Sequence, residues 1–542
     1  MDQSCIEYLR LYNRLKTGSM NTLSIMQEIA DFMVPWRANI VTRATEGRKT
    51  TDRIFDSTAP QALTTAASAM HSSVTPSNLR WLSFDTDATT KNQEGVVHWL
   101  DEVSNIVFQT IINSNFDAEA QEIYSDLLGF GTGLMIVEED DEDMTMDGQS
   151  GIRFHTQQPG TFVIKEGANG RVDTIIREVP MNVGSVVARW GLENASQRVH
   201  DLFAAHKVDQ AVTVLHYLGP RKDALSETDA PTRKKIASVW LEMSAEFGVV
   251  GGQYLSKLAE SGFDEMPAMA PRWRKMSGEV YGRSPGMMVL PDVRTLNKAV
   301  ELRLKAWALA IAPPIITQDR GVIGNVRLEP FGRTYVRPGA TIETLDIPSR
   351  FDVANFSEDR LQSSIKAGFF VDLLQFQSKD GTPISATEAS IRFQTMQKIL
   401  GPVVSRLHAE FLAPLVMRVL RILERNGALP PVPAALQGRG LRLMFDGPLS
   451  RVQRATEIEG INQFFSILYP IAEVNRDVIM RVDFDELVET IAEATSLPAR
   501  ILRSREAAAE MIQARNDAEQ QQAMMANVIE AGKTLQGAPG SV

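Results

Sequence analysis

The sequence predicts an α+β chain that is predominantly α-helical, and three observations carry the prediction. Over the first ~130 residues apolar side chains recur at helical spacing. From Gly131 to about Val250 the period shifts toward two, the signature of strands. After Pro291 the helical spacing returns and holds almost to the end. A length of 542 residues is enough for more than one core, and 44% hydrophobic with 23% charged residues is ordinary globular composition.

The N-terminal run MDQSCIEYLRLYNRLK threads charges through its apolar positions and reads as an amphipathic helix rather than a signal peptide. Asn21 to Met33 is helical in spacing, with Pro35 ending it. Thr58-Ala59-Pro60 opens an alanine- and serine-rich helix to about Ser73, the proline standing in the first turn where its missing N–H costs nothing. Ala66, Ala67 and Ala69 suit close packing. Val96 to Ser114 and Ala118 to Leu128 are further amphipathic stretches. Strands are expected at Leu134–Val137, Ile152–His155, Thr161–Ile164, Val172–Arg177, Val212–Tyr217 and Ile236–Leu241. Asn169-Gly170 supplies a hairpin turn, and the whole is an antiparallel α+β module. Its acidic loop, Glu138 to Asp143, lacks the oxygen-ligand spacing of a calcium loop and reads as solvated.

Asp292 to Ile311 is a helix of about twenty residues, roughly 30 Å long, stopped by Pro313-Pro314. A segment rich in Gly, Pro and β-branched residues, Ile315 to Phe351, separates it from a second helix, Ser357 to Leu374. A polar loop, Gln375 to Pro383, then leads to Ser385-Ala-Thr-Glu388, a helix-opening capping box. From there to Asn426 apolar residues recur at Ile391, Met396, Ile399, Val403, Leu407, Phe411, Leu415, Val419 and Leu423. About forty residues of helix would span ~60 Å, and a kink is expected at Pro402. Gly427 and Pro430-Pro431 end the helix. A strand-like segment follows at Leu441–Phe445, then helix from about Arg451, with a frayed C-terminus.

Several chemistries are excluded. The longest apolar run, Ala306 to Ile316, is broken by Pro313-Pro314 and is far shorter than the ~18–20 residues of a membrane span. One cysteine, Cys5, excludes an internal disulfide framework. Gly282-Arg-Ser284-Pro-Gly286 matches the nucleophile elbow in its letters. However, the residue after the serine is Pro285, which has no N–H for an oxyanion hole, so a serine hydrolase on Ser284 is a remote alternative. Gly129-Phe-Gly131-Thr-Gly133 follows a helix and opens a strand, the reverse of a dinucleotide loop. No P-loop occurs, and the seven histidines are scattered without metal-ligand spacing. No cofactor, metal or catalytic residue is expected. A net charge of −11 is unlike a protein that grips duplex DNA tightly. Arg294, Lys298, Glu301 and Lys305 fall on one helix face: either a solvated stripe with a Glu301–Lys305 pair, or a few phosphate-facing cations.

Three blocks of sequence resemble the head-to-tail connector (portal) proteins of short-tailed, podovirus-type bacteriophages. The first is Phe55-Asp-Ser-Thr58 through Met70-His-Ser-Ser and Thr75-Pro to Trp81. The second is Arg272-Trp273, then Gly278-Glu279-Val-Tyr281-Gly-Arg-Ser-Pro-Gly286, then Leu290-Pro-Asp-Val-Arg-Thr-Leu-Asn297. The third is Ser385-Ala-Thr-Glu388, then Leu400-Gly-Pro402, Glu410-Phe-Leu-Ala-Pro414, Gly427 and Pro448-Leu-Ser-Arg451. Ser385 stands where the family often has threonine; either hydroxyl caps a helix.

The resemblance implies the phage portal fold of wing, stem, clip and crown, assembled as a cyclic ring, typically of twelve copies. Residues 1–290 would form the wing, 291–314 and 353–374 the stem helices, and 315–352 the clip. The tunnel loop would be 375–384, the long kinked wing helix 385–427, a wing strand segment 428–450, and the helical crown 451–542. The ring would sit at one capsid vertex of the virion, assembled in the host cytoplasm, with no membrane involved. Duplex DNA would pass through it, held loosely and without sequence specificity. Implied partners are a terminase packaging motor, tail adaptor proteins, and the major capsid and scaffolding proteins. Gln375, Gln377, Ser378, Lys379, Asp380 and Thr382 would face DNA in the tunnel loop, and Arg294, Lys298 and Lys305 in the stem. Arg320, Arg327, Arg333 and Arg337 are candidates for clip contacts with adaptor or motor. Ser385 and Glu388 are the cap and Pro402 the kink. The competing reading is an internal or scaffolding virion protein without a channel.

Overall fold

The computed structural model describes residues 3–41, 47, 49–87, 95–140, 151–221, 234–243, 256–311, 315–317, 322–323, 335–339, 342–344, 351–371, 399–445 and 460–468, with short pieces beyond (470–471, 482–484, 487–488, 491, 508, 511–521, 524). The chain divides into two compact units, one of residues 1–77 and 110–428, the other of residues 78–109 and 429–542. The fold is a mixed α+β one.

In the larger unit, α1 (Gln3–Met33) is one helix of 31 residues, where the sequence reading separated two stretches; Gly18 lies inside it with nothing within 4 Å of an added Cβ. The helix α2 (Thr58–Val74) opens at Thr58 as expected and buries Ala59, Ala62, Ala66 and Ala67. These small side chains let it pack closely on α4 (Phe116–Phe130). Between α2 and α4 in the chain, α3 (Val96–Ile112) lies mainly in the smaller unit.

The sheet module is antiparallel throughout. Strand β2 (Met135–Asp140) pairs with β3 (Gly151–Thr156) on one side and with the two-residue β9 (Ala268–Met269) on the other. A five-stranded sheet runs in sequential order through β4 (Phe162–Glu166), β5 (Val172–Asn182), β6 (Ala211–Pro220), β7 (Ile236–Met243) and β8 (Ser256–Phe263). The Asn169-Gly170 turn joins β4 to β5, Gly170 taking φ 74°. Alternation divides the five-stranded sheet's two faces. Leu215 and Tyr217 of β6 face α1, meeting Cys5, Leu9 and Tyr12. On the opposite face Val212 and Val214 meet two helices the sequence reading missed, α5 (Val183–Trp190) and α6 (Gln197–Ala204). Each has eight residues and a side-chain cap, Asn182 accepting from the Ser185 N–H at 2.7 Å and Ser196 from that of Val199 at 3.4 Å. β8 was missed as well: its sequence, SKLAESGF, is that of a polar sheet edge.

Two antiparallel helices follow in this unit, α7 (Pro285–Ile311) and α8 (Phe351–Gly368). Both begin earlier than expected. The start of α7 is Pro285 rather than Asp292, so Pro291 lies inside the helix. α8 gives way to a turn at Phe369–Phe370, Phe370 taking φ 60°. Between them β10 (Ile315–Thr317) pairs with β13 (Ile342–Thr344), and β11 (Val322–Ile323) with β12 (Tyr335–Val336).

The last helix of this unit, α9 (Ile399–Arg425), is long and apolar enough by length and composition to cross a membrane, although no uninterrupted apolar run reaches that length. Here it is a core helix. Leu407, Phe411, Leu415 and Val419 are wholly buried, and Arg418, also buried, pairs with Glu265 at 2.5 Å and Glu139 at 3.5 Å. Arg425 bridges the same two carboxylates at 2.8 Å each. The acidic stretch after Val137 therefore opens in ion pairs, with Glu138 held by Arg177 at 3.2 Å; Asp141 to Ser150 lie outside the described residues.

Residues 399–407 are α-helical on both sides of Pro402, and the turn before Ile399 lies outside the described residues. The irregularity of α9 is a π turn at His408–Leu412, where the Ala413 N–H donates to the His408 carbonyl. Pro414 is the physical reason, because it has no N–H to return to the Glu410 carbonyl and the ladder widens to accommodate it. The residue whose carbonyl Pro402 leaves without a partner is 398, outside the described residues.

In the smaller unit β1 (Leu82–Asp85) pairs antiparallel with β14 (Arg442–Phe445), the second of these matching the strand-like segment read from the sequence. Trp81 stacks on Phe445 with ring planes 8° apart. Arg80 reaches Asp101 and Asn105 at 2.7 Å each, and the Trp99 indole donates to the Pro430 carbonyl at 3.2 Å. Residues 78–109 thus group with 429–542.

Candidate functional site

The candidate site is the α7–α8 pair, and its foundation is a crossing of the two glycine motifs that catalysis had no use for. Ser284 is buried. Its hydroxyl donates to the Gly129 carbonyl at 2.7 Å and accepts from the Met287 N–H at 2.9 Å, which makes it the N-cap of α7. With Pro285 in the first turn, the G-x-S-x-G letters are a helix start. Gly131, at φ 81°, caps the end of α4. The Trp273 N–H donates to the Gly131 carbonyl at 2.9 Å, and the Gly282 N–H to the Thr132 hydroxyl at 2.8 Å. A Cβ on Gly282 would stand 2.1 Å from the Gly131 oxygen, and one on Gly286 2.6 Å from that of Gly129. Only backbone without side chains can approach so closely.

Beside this crossing Arg272, with no exposed surface, uses all five N–H donors. They reach Glu410 (3.1 and 2.7 Å), Glu166 (2.6 Å), and the carbonyls of Val280 (3.1 Å) and Gly170 (3.0 Å). The π turn is what carries Glu410, and its neighbour Phe411 meets Tyr124 edge-on at 6.4 Å. Farther along α7, the Asn297 side-chain carbonyl accepts from the Phe55 and Asp56 N–H groups at 2.8 and 3.1 Å, and Gln362 of α8 donates to Asp56 at 2.9 Å. The three separated blocks of sequence therefore meet, the first and second through Asn297 and the second and third through Arg272.

The cationic face of α7 is exposed and paired. Arg294 reaches Glu28 of α1 at 3.1 Å, while Lys298 and Lys305 both reach Glu301, at 2.9 and 2.6 Å. Hydrogen bonds from Lys305 and then Lys298 hold the Glu301 carboxyl below the usual carboxylate range. Exposed pairs of this kind contribute little to stability and open readily to another anion. Past Lys305 the helix end turns apolar and exposed, through Trp307, Leu309 and Ile311, the last 85% exposed. Arg303 lies over the Trp307 ring, 4.9 Å from its centroid, and pairs with Glu358 of α8.

Of the remaining candidates, Arg337 is exposed in the turn after β12. Arg320, Arg327 and Arg333, the tunnel-loop residues Gln375, Gln377, Ser378, Lys379, Asp380 and Thr382, and the cap residues Ser385 and Glu388 lie outside the described residues. Among the described residues no three His, Cys, Asp or Glu side chains converge as metal ligands. His408, pushed down to about 4 by burial, is neutral at physiological pH.

A family model described as bacteriophage head to tail connecting protein matches residues 6–502. The chain is 27% identical over 543 residues to a probable portal protein of Bordetella phage BPP-1, covering 98% of this chain and 95% of that one. It is 28% identical over 506 residues to the portal protein of Salmonella phage epsilon15, covering 91% and 88%. Among solved structures, a chain in the virion of a native gene transfer agent particle is 13% identical, with coverage of 79% of this chain and 93% of that one; its TM-score of 0.33 is too low to bear on function.

Proposed function

From the membership of this chain in the bacteriophage head-to-tail connecting protein family, we propose that it is a portal subunit of the capsid vertex. Copies of it form the channel through which double-stranded DNA is packaged and ejected, and a platform for the packaging motor and tail adaptors. The observation that carries this reading is the family match over residues 6–502. Two near full-length portal relatives agree with it. A structural rather than enzymatic role follows, and Ser284, capping a helix and bonded to Gly129, is not free to attack a substrate.

The finer parts of the reading rest on physical grounds. The apolar, exposed end of α7 at Trp307, Leu309 and Ile311 suits a second copy, and a head-to-tail contact that closes makes a ring, here taken as twelve subunits. Exposed, self-neutralised cations at Arg294, Lys298 and Lys305 on a chain of net charge −11 suit a passage that DNA slides through. The polar tunnel loop, 375–384, and the clip arginines keep the roles given above, with terminase, adaptor, capsid and scaffolding proteins as partners. Cryo-EM of the assembled protein tests the reading: a cyclic ring with an axial channel is expected, and a closed dimer without a channel would sink it.

A further inference from the structure

A second anionic partner is indicated where the first turns of α1 lie on one face of the five-stranded sheet. A pocket there has an apolar floor of Tyr8 and Leu11 from α1 and Tyr217 and Pro220 from β6. The two tyrosine rings lie 4.4 Å apart, tilted by 40°. Arg221 enters the lining with its guanidinium fixed by Glu260 at 2.6 Å and the Ser261 carbonyl at 2.9 Å. Three more cations, Arg10, Arg14 and Lys165, stand around the floor, exposed. Unlike the cations of α7, these three have no carboxylate partner among the described residues. Glu7 is the one acid in the lining.

Arg10 and Arg14 sit at i and i+4, neighbours on one helix face that repel each other. A chain of net charge −11 has acids to spare, yet this lining sets four cations against Glu7 alone. Converging cations without counter-charge attract an anion, and the floor decides which kind. Duplex DNA is a convex rod whose phosphates would meet the rim and leave the tyrosines wet. An apolar side chain flanked by carboxylates fills the floor and neutralises the rim together.

We propose that this pocket docks an acidic peptide segment of another protein, anchored by an apolar side chain between Tyr8, Leu11 and Tyr217 and held at its flanks by Arg10, Arg14 and Lys165. The proposal does not depend on the portal reading.

Fluorescence anisotropy on the full chain tests it. The probe is a fluorescein-labelled octapeptide, leucine and phenylalanine at its centre with three acidic residues on each side. Saturable binding is expected, weakened at least about tenfold in Arg10→Gln/Arg14→Gln and in Lys165→Glu. A probe with serines at the centre should lose a similar factor. The unfolding midpoints of both variants should stay at the wild-type value, since all three side chains are exposed. The proposal is overturned by no saturable binding at about 100 μM probe, a hundredfold above ordinary micromolar docking. Binding indifferent to the substitutions overturns it equally. So does a short DNA duplex that binds as tightly and loses affinity in the same variants, which would make the pocket a phosphate site.

Discussion

Replacing Asp126 with asparagine should stabilise this protein above neutral pH. Asp126 lies on α4, wholly buried, and neither carboxylate oxygen has a hydrogen-bond partner among the described residues. Its nearest cation, Arg37, is 3.4 Å away and is also engaged by Glu122 at 2.5 Å. Burial therefore outweighs the attraction of Arg37, and the Asp126 carboxyl is pushed up to about 7 from 3.8. Between these values the folded chain holds a proton that the unfolded chain has released. The associated stability is full below about pH 4, shrinks as pH rises, and is gone by about pH 7. Three units at 1.36 kcal/mol each make the whole effect roughly 4 kcal/mol. Asparagine keeps the shape and removes the titration. Urea unfolding of both proteins at pH 5 and pH 8.5 is the assay. The variant should be more stable by about 1.6 kcal/mol at pH 5 and by up to about 4 kcal/mol at pH 8.5. A variant less stable than wild type at pH 8.5 would show that the Arg37 pairing dominates and refute the reasoning.

Three further outcomes follow from the geometry. Gly282→Ala should prevent correct folding, because its Cβ would stand 2.1 Å from a backbone oxygen that cannot swing aside; soluble, native-like protein by circular dichroism would contradict the crossing. Trp307→Glu should leave the fold intact, since the ring is on the surface, while native mass spectrometry or electron microscopy finds rings lost; unchanged rings would move the subunit contact elsewhere. Shortening Gln375–Pro383 should allow rings to form yet impair genome packaging or retention, and normally filled heads would count against a tunnel loop in that segment.

The sequence made the α+β class legible because its periodicities are local. It named seven strands that the structure contains, the segment at Leu441–Phe445 among them, and placed the start of α2 at Thr58. Residues whose meaning lies in a distant partner were not legible. Gly129-Phe-Gly131 and Gly282-Arg-Ser-Pro-Gly286 each looked like a weak catalytic pattern, since nothing in either stretch reveals that the other fills the space where its side chains would be. Arg294 looked free on its own helix because Glu28 belongs to α1. Pro414, which distorts the ladder, passed as an ordinary member of a familiar block. Polar β8 and the eight-residue α5 and α6 are stable because a sheet lies against them, and their own sequences carry little sign of it.

The glycine crossing also settles how α7 would respond to mechanical load. Most helices rest on side chains, which absorb a push by changing rotamer. The chain entering α7 instead meets the C-terminal end of α4 backbone against backbone, at Gly282 against Gly131 and Gly286 against Gly129, with the Ser284 hydroxyl fastened to the same backbone. Peptide groups are rigid and have no alternative rotamers. A thrust along the axis of α7 would pass into α4 nearly undamped, which makes this joint a stiff bearing seat.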